Sequence, residues 1–367
     1  MKVNFLFGSL IFRKKRTGVH LYYYNLLKHY AKDYDDFIVS VYNKKINVNT
    51  LVDKCFQNNV KYSHKFVRLL MYFIPAELFW GRADIYVCDG ISPITLFKSK
   101  RVFVIHDLMV YLYPENYSFI KKLYLKYFFS KVDKADRIIA VSKQTKNDLV
   151  NILNVDENKV NIVYNGVEKI PINDEAINLK VDINKKYLFY IGDFRKNKNV
   201  LSAIKAYKRY ISKNNDELFF YIAGNQNGRE YDALMTYVKD NALLNKVVFL
   251  GYVTESEKVY LYKHAFAFMF VSLYEGFGVP IIESMLYETP VITSNCSSMA
   301  EIAVDNSAIL VDPNNIEEIA MAIESLNDGS IRKQIIEAGK SIAMQYSWDN
   351  AYKKFRYVLS SIGEINE

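Results

Sequence analysis

The stretch FAFMFVSLYEGFGVPIIESMLYETPVITS, Phe266 to Ser294, sets a strand, a glycine turn, a helix and a second strand in one short span. Aromatic and β-branched residues in FAFMFVS predict a buried strand ending near Ser272. Pro280 fits the first helical position, because the donor it lacks would be orphaned there anyway. The loop from Tyr274 to Val279 then lies at the carboxyl edge of a parallel sheet, where open α/β proteins bind ligands. Gly276 and Gly278 permit close backbone approach, and bare N–H groups at a helix start attract an anion such as phosphate.

Two carboxylates flank this turn, Glu275 before it and Glu283 inside the helix. Ionised carboxylates accept hydrogen bonds and donate none, so they suit hydroxyl groups. A nucleotide sugar satisfies the turn and both acids together: its diphosphate meets the N–H groups, one acid holds the sugar and the other the ribose. The plainer reading is that acids near a helix N-terminus serve only the helix dipole, worth about 0.3–1 kcal/mol.

Working outward, apolar runs alternate with amphipathic segments along the whole chain. VNFLF, DFIVSVY, ADIYVC, RVFVIHD, DRIIAVS and NKVNIVYNG come first; KYLFYIGD, LFFYIAG, KVVFLGY, FAFMFVS, TPVITS and SAILVD follow. Such alternation predicts βαβ units and a mostly parallel sheet, twice over. The 367 residues also exceed a typical single core. The polar stretch from Glu168 to Lys186 predicts the linker, giving domains 1–170 and 171–345. YSWDNAYKKFRYVLSSI repeats apolar residues at helical spacing and predicts a terminal helix over 346–367 that packs back on the first domain.

Charge is uneven. Residues 1–170 carry 27 Lys and Arg against 15 Asp and Glu, and the remainder 21 against 25. The basic half suits an anionic surface or a phosphorylated acceptor. Cys55, Cys88 and Cys296 are scattered without metal-ligand spacing, so neither a disulfide framework nor a zinc site is indicated, and a reducing cytoplasm is expected. The N-terminal apolar run leads into Arg13 to Arg16 rather than a cleavage site and reads as a first strand. No run approaches the ~20 apolar residues of a spanning helix, so membrane contact is expected to be peripheral.

EGFGVPIIESMLYETPVITS, followed by SSMAEIAVDNSAILVDP, resembles the donor-site signature of the retaining glycosyltransferases of family 4. TGVHLYYYNLL resembles the family's first glycine loop and helix, VFVIHDL its central His-Asp strand end, YIGDFRKNKNV its phosphate-binding loop and FLGYV its base-recognition turn. The resemblance runs nearly end to end. It implies the GT-B fold, α/β with two facing Rossmann-like doubly wound domains and a cleft between them, the first for the acceptor and the second for the donor. It also implies that Glu275 contacts the donor sugar and Glu283 the ribose, with backbone amides of Gly276, Phe277 and Gly278 near sugar and phosphates. Lys198 matches the phosphate-binding lysine, assisted by Arg195, although Asp193 stands where many relatives carry a cation. His106 matches the sugar-facing histidine, and Gly18 the loop near the phosphates; alone they read as a structural strand-end histidine and a strand-to-helix turn.

The implied reaction retains anomeric configuration by front-face displacement, the leaving diphosphate taking the acceptor's proton. No Asp-x-Asp metal motif falls in the crevice, so neither metal nor cofactor is expected: Lys198 and helix N-termini take a divalent cation's place. The expected donor is GDP-mannose, with a UDP- or dTDP-sugar such as rhamnose second. The expected acceptor is a glycan, carried on a lipid diphosphate, in surface polysaccharide synthesis.

SFIKKLYLKYFFSKVDKADR, Ser118 to Arg137, interleaves lysines with Tyr and Phe and can lie on an anionic membrane, or be an amphipathic helix whose aromatics pack on its own domain. Two other classes compete: a catalytically silent partner subunit, against which intact Glu275, Glu283, Lys198 and His106 speak, and a nucleic-acid binder, against which the lack of a binding motif and the acidic second half speak.

Overall fold

The alternating apolar runs resolve into two α/β units, Met1–Gly166 with Trp348–Glu367, and Val167–Ser347. The computed structural model describes residues 1–7, 18–41, 59–62, 70, 73–89, 93–171, 178–179, 181–182, 184–214 and 216–363. The basic cluster Arg13 to Arg16, Thr17, Cys55 and His64 lie outside the described residues.

The first unit runs β1 (Val3–Phe5), α1 (Gly18–Asp33), β2 (Phe37–Val41), β3 (Val60–Tyr62), β4 (Ile85–Cys88), β5 (Lys100–Ile105), α2 (Phe119–Phe129), β6 (Arg137–Ala140), α3 (Lys143–Leu153) and β7 (Val160–Ile162). Its seven strands pair in parallel in the order β3-β2-β1-β4-β5-β6-β7. Strand β1 is buried on both faces, and its one polar residue, Asn4, accepts from Ser40 Oγ on β2 at 2.7 Å. The Phe5 ring meets those of Tyr30 at 5.1 Å, Phe37 at 6.0 Å and Phe355 at 6.4 Å.

The second unit runs β8 (Tyr187–Ile191), α4 (Val200–Lys213), β9 (Phe219–Ala223), α5 (Arg229–Asp240), β10 (Val247–Gly251), α6 (Glu255–His264), β11 (Ala267–Phe270), α7 (Val279–Leu286), β12 (Val291–Ser294), α8 (Ser297–Ile302), β13 (Ile309–Val311), α9 (Ile316–Ser325) and α10 (Gly329–Gln345). Six strands pair in parallel in the order β10-β9-β8-β11-β12-β13.

The last helix, α11 (Trp348–Gly363), belongs to the first unit. Its apolar face meets α1, where Tyr352 Oη donates to Asp33 at 2.8 Å, Arg356 pairs with the same carboxylate at 3.2 Å, and Asp349 lies 3.2 Å from His29.

The abundant tyrosines have a structural use. Tyr187, Tyr190, Tyr207 and Tyr221 are buried, and each hydroxyl donates to a backbone carbonyl, of Leu261, Asp193, Leu218 and Asp182 respectively. A buried hydroxyl without an acceptor costs about 1–3 kcal/mol, so these rings fill the core while their polar ends tie loops to it. Cys88 is buried and Cys296 half-buried, both as free thiols.

Candidate active site

In a doubly wound sheet the crevice for a ligand opens where the strand order reverses. In the second unit that point lies between β8 and β11. The chain leaving β8 is the Lys198 loop, and the chain leaving β11 is the Glu275 loop.

Side chains of two asparagines stitch these loops together. Asn197, fully buried, donates from Nδ2 to the Tyr274 carbonyl at 3.1 Å, and its own carbonyl accepts from Leu273 N–H at 2.7 Å. Asn199 adopts the left-handed conformation, φ 55°, which asparagine tolerates better than most residues. Its Nδ2 reaches the carbonyls of Val271 at 3.0 Å and Pro313 at 2.7 Å. Lys198, held between them, lies with Nζ 2.7 Å from both Glu275 carboxylate oxygens. The pair is largely withdrawn from water, its side chains 12% and 10% exposed. Two of the three ammonium donors are thus engaged, and the ammonium lies 5.6 Å from the centroid of the Phe270 ring.

The Glu275 loop is also gripped from α8. Ser297 Oγ lies 3.1 Å from Glu275 N and 2.9 Å from its carbonyl oxygen, and Ser298 Oγ lies within hydrogen-bond distance of the carbonyls of Glu275 and Phe277. Gly278 follows at φ 109°, a conformation that strains any residue with a Cβ, and caps α7. Helix α7 starts at Val279, so Pro280 occupies its second position rather than the first. Phe277 is buried, its ring 5.7 Å from that of Tyr346.

Glu283 is held by a different element. Lys258 on α6 pairs with its Oε1 at 2.9 Å, and Tyr262 donates to Oε2 at 3.2 Å. Burial works against the Lys258 ammonium, but the carboxylates of Glu283 and Glu255 outweigh it and hold the pKa above the ordinary lysine value. A capping box places this helix: Thr254 accepts from Glu257 N–H, and the Glu257 carboxylate accepts from Thr254 N–H at 2.8 Å. The sequence reading missed Lys258 and Tyr262. The only local signal is Glu255 three residues before Lys258, which any surface helix could show.

Arg195 turns to its own loop. Its guanidinium donates to both Asp193 oxygens, at 3.0 and 2.7 Å. Burial pushes the Asp193 carboxyl up, but the Arg195 hydrogen bonds and the Lys198 charge prevail and leave it below the usual carboxylate range. The departure at Asp193 therefore has a structural account, as the intraloop partner of Arg195. Behind this loop, a Cβ added at Gly224 would stand 2.2 Å from the Gly192 carbonyl oxygen, so only glycine lets the ends of β8 and β9 approach this closely.

In the first unit, His106 follows β5 with its ring set edge-on against Tyr22 and Tyr23, centroids 5.2 Å away in each case. Burial, with a smaller contribution from His20, lowers its pKa from 6.5 to about 3, so the imidazole is neutral at physiological pH. Its Nε2 is shielded and has no hydrogen-bond partner among the described residues. Gly18 is the exposed first residue of α1. Among the described residues no three His, Cys, Asp or Glu side chains cluster as metal ligands, and no helix is long and apolar enough to cross a membrane.

Residues 17–169 match the family model for Glycosyltransferase Family 4, and residues 173–342 that for Glycosyl transferases group 1. The chain is 28% identical over 259 residues to O-antigen chain mannosyltransferase B of Escherichia coli, covering 68% of each. It is 30% identical over 253 residues to O-antigen chain mannosyltransferase RfbU of Salmonella typhimurium, covering 66% of this chain and 67% of that one. HepE of Anabaena, solved in complex with UDP and glucose, superposes with a TM-score of 0.76 at 18% identity, over 98% of this chain and 100% of the other. That last likeness is one of fold. The chain has the GT-B fold of two Rossmann-like units and belongs to the family 4 glycosyltransferases, the glycosyl transferases group 1.

Proposed function

We propose that the protein is a retaining hexosyltransferase that moves a sugar, mannose from GDP-mannose first of all, to a lipid-diphosphate-linked glycan in surface polysaccharide synthesis. The observation that carries this reading is the Lys198–Glu275 pair, built from the two loops at the second unit's switch point. A diphosphate takes the remaining Lys198 donor and the α7 N-terminus, and the sugar's hydroxyls donate to Glu275. The ribose hydroxyls donate to Glu283, which Lys258 and Tyr262 hold in place. Retention follows from displacement on the front face, where the departing diphosphate is stabilised by Lys198 and accepts the acceptor's proton.

Mannose as the sugar is supported by the two O-antigen mannosyltransferases among the relatives. UDP as the nucleotide, the second reading, is supported by the complex of HepE with UDP and glucose. A glycan acceptor on a lipid diphosphate is supported by the excess of cations in residues 1–170, 27 against 15 acids.

The test is thermal denaturation with GDP, UDP, dTDP or ADP, followed by transfer assays with the matching sugar conjugates. A nucleotide that binds only the folded chain stabilises it by about 2.7 kcal/mol at 100 times its dissociation constant. Stabilisation by GDP, lost in Glu283→Gln, together with mannosyl transfer and an α-linked product, is the expected result. Stabilisation by UDP alone moves the donor to the second reading. Indifference to every nucleotide defeats the transferase and favours a silent partner subunit.

A further inference from the structure

Helix α2 (Phe119–Phe129) presents an apolar face outward. At helical spacing Phe119, Ile120, Leu123 and Tyr127 fall within one arc, and they are 71%, 80%, 55% and 49% exposed. Its opposite side is already used: Phe128 and Phe129 are buried, Phe128 stacks on Phe103 at 5.5 Å, and Leu125 packs on the same core. A helix that only had to cover its own sheet would turn polar residues to water.

Cations border this stripe. From Asn116 to Val132 the chain holds four lysines, Lys121, Lys122, Lys126 and Lys131, and no acid. Aromatic rings place three of them: Lys121 lies over Tyr117 at 4.9 Å, Lys126 over Tyr111 at 5.6 Å and Lys131 over Tyr127 at 5.3 Å.

We infer that the outward face of α2 docks on an anionic lipid bilayer. The stripe of Phe119, Ile120, Leu123 and Tyr127 enters the boundary between headgroups and acyl chains, and the flanking lysines meet headgroup phosphates. A bilayer offers an apolar layer beneath a layer of negative charge, which matches a stripe bordered by cations. A second copy of the chain would bring lysines against lysines, and like charges set opposite one another are repelled. The inference shares with the proposed function only the lipid-borne acceptor.

The full-length protein is to be floated with vesicles of phosphatidylcholine alone and of phosphatidylcholine with phosphatidylglycerol. Flotation with the anionic vesicles is expected to be at least about tenfold tighter and to weaken as salt is raised. Ile120→Asp with Leu123→Asp, both at exposed positions, should abolish it, and Lys122→Glu with Lys126→Glu should lower it about tenfold. Both native tryptophans, Trp80 and Trp348, are buried, so Ile120→Trp serves as a reporter whose emission should shift to the blue only with anionic vesicles.

The inference is overturned by absence of flotation, by equal flotation of the Asp variant, or by an unshifted Ile120→Trp emission. It is equally overturned if the wild type self-associates without lipid and the Asp variant does not, because a second copy then covers the stripe. Nucleotide-dependent thermal stabilisation, measured on the same variants, keeps the two proposals apart: flotation without any nucleotide response removes the donor site alone, and the reverse removes the docking surface alone.

Discussion

Lys198 and Glu275 stand 77 residues apart in sequence, yet the lysine ammonium lies at 2.7 Å from both oxygens of the glutamate. Neither charge is left unpaired in a largely dry position. Removing one partner of such a pair costs about 3–5 kcal/mol, mostly by stranding the other charge. Lys198→Met and Glu275→Gln should each lower stability in urea by about 3 kcal/mol, and the double variant by clearly less than the sum of the two. If Lys198 is the cation that meets the departing diphosphate, as proposed, transfer should fall by about 10²–10³ in Lys198→Met.

Lys258 is expected to act on nucleotide recognition through Glu283. Lys258→Met should weaken nucleotide binding about tenfold, and Lys258→Arg should restore part of the loss. The decisive measurement compares the nucleotide with its 2′- and 3′-deoxy forms by calorimetry. If Glu283 accepts from the ribose, the preference for the ribonucleotide collapses in both Glu283→Gln and Lys258→Met. A preference that survives in Lys258→Met removes the lysine from this role.

His106 should leave a mark on stability against pH. Its pKa in the fold is about 3, below the ordinary 6.5, so the unfolded chain takes up a proton that the fold refuses. Stability is therefore unaffected by this group above about pH 6.5 and falls as pH drops toward 3, with a slope of up to about 1.4 kcal/mol per pH unit. His106→Gln should flatten that part of the profile while leaving the neutral-pH value within about 1 kcal/mol. An unchanged slope would mean that the histidine protonates in the folded state.

If Lys198 and the start of α7 take the place of a divalent ion, as proposed, transfer should proceed undiminished in EDTA. A rate that collapses with the chelator and returns with magnesium or manganese defeats this expectation.

What the sequence makes legible here is what short-range chemistry writes into it. Runs such as VFVI and AFMF announce buried parallel strands because both faces are covered and no polar residue interrupts them. Strand β3 (Val60–Tyr62), with one apolar residue on either side of Lys61, lies in no longer apolar run and was not anticipated. The turn at Gly278 was readable from glycine and proline alone, although Pro280 proved to be one position further into the helix. Lys258 was unreadable for a different reason: its partner, 25 residues away, is chosen by how α6 lies against α7, which no local pattern encodes. In α2 the alternation of lysine and aromatic residues was visible, but only the packing of Phe128 and Phe129 decides which side of the helix faces out.

The stitching by Asn197 and Asn199 has a consequence for inheritance. Because their side-chain amides hold the carbonyls of Tyr274 and Val271, the segment after β8 and the segment after β11 form one mechanical part despite their distance in the chain. Neither can be exchanged with a relative's counterpart alone: a graft of residues 192–199 without residues 271–278 would carry asparagines cut for other carbonyls. Recombination that respects the part must move both segments together, and a chimaera that splits them should lose the fit between the Lys198 and Glu275 loops while keeping its sheet.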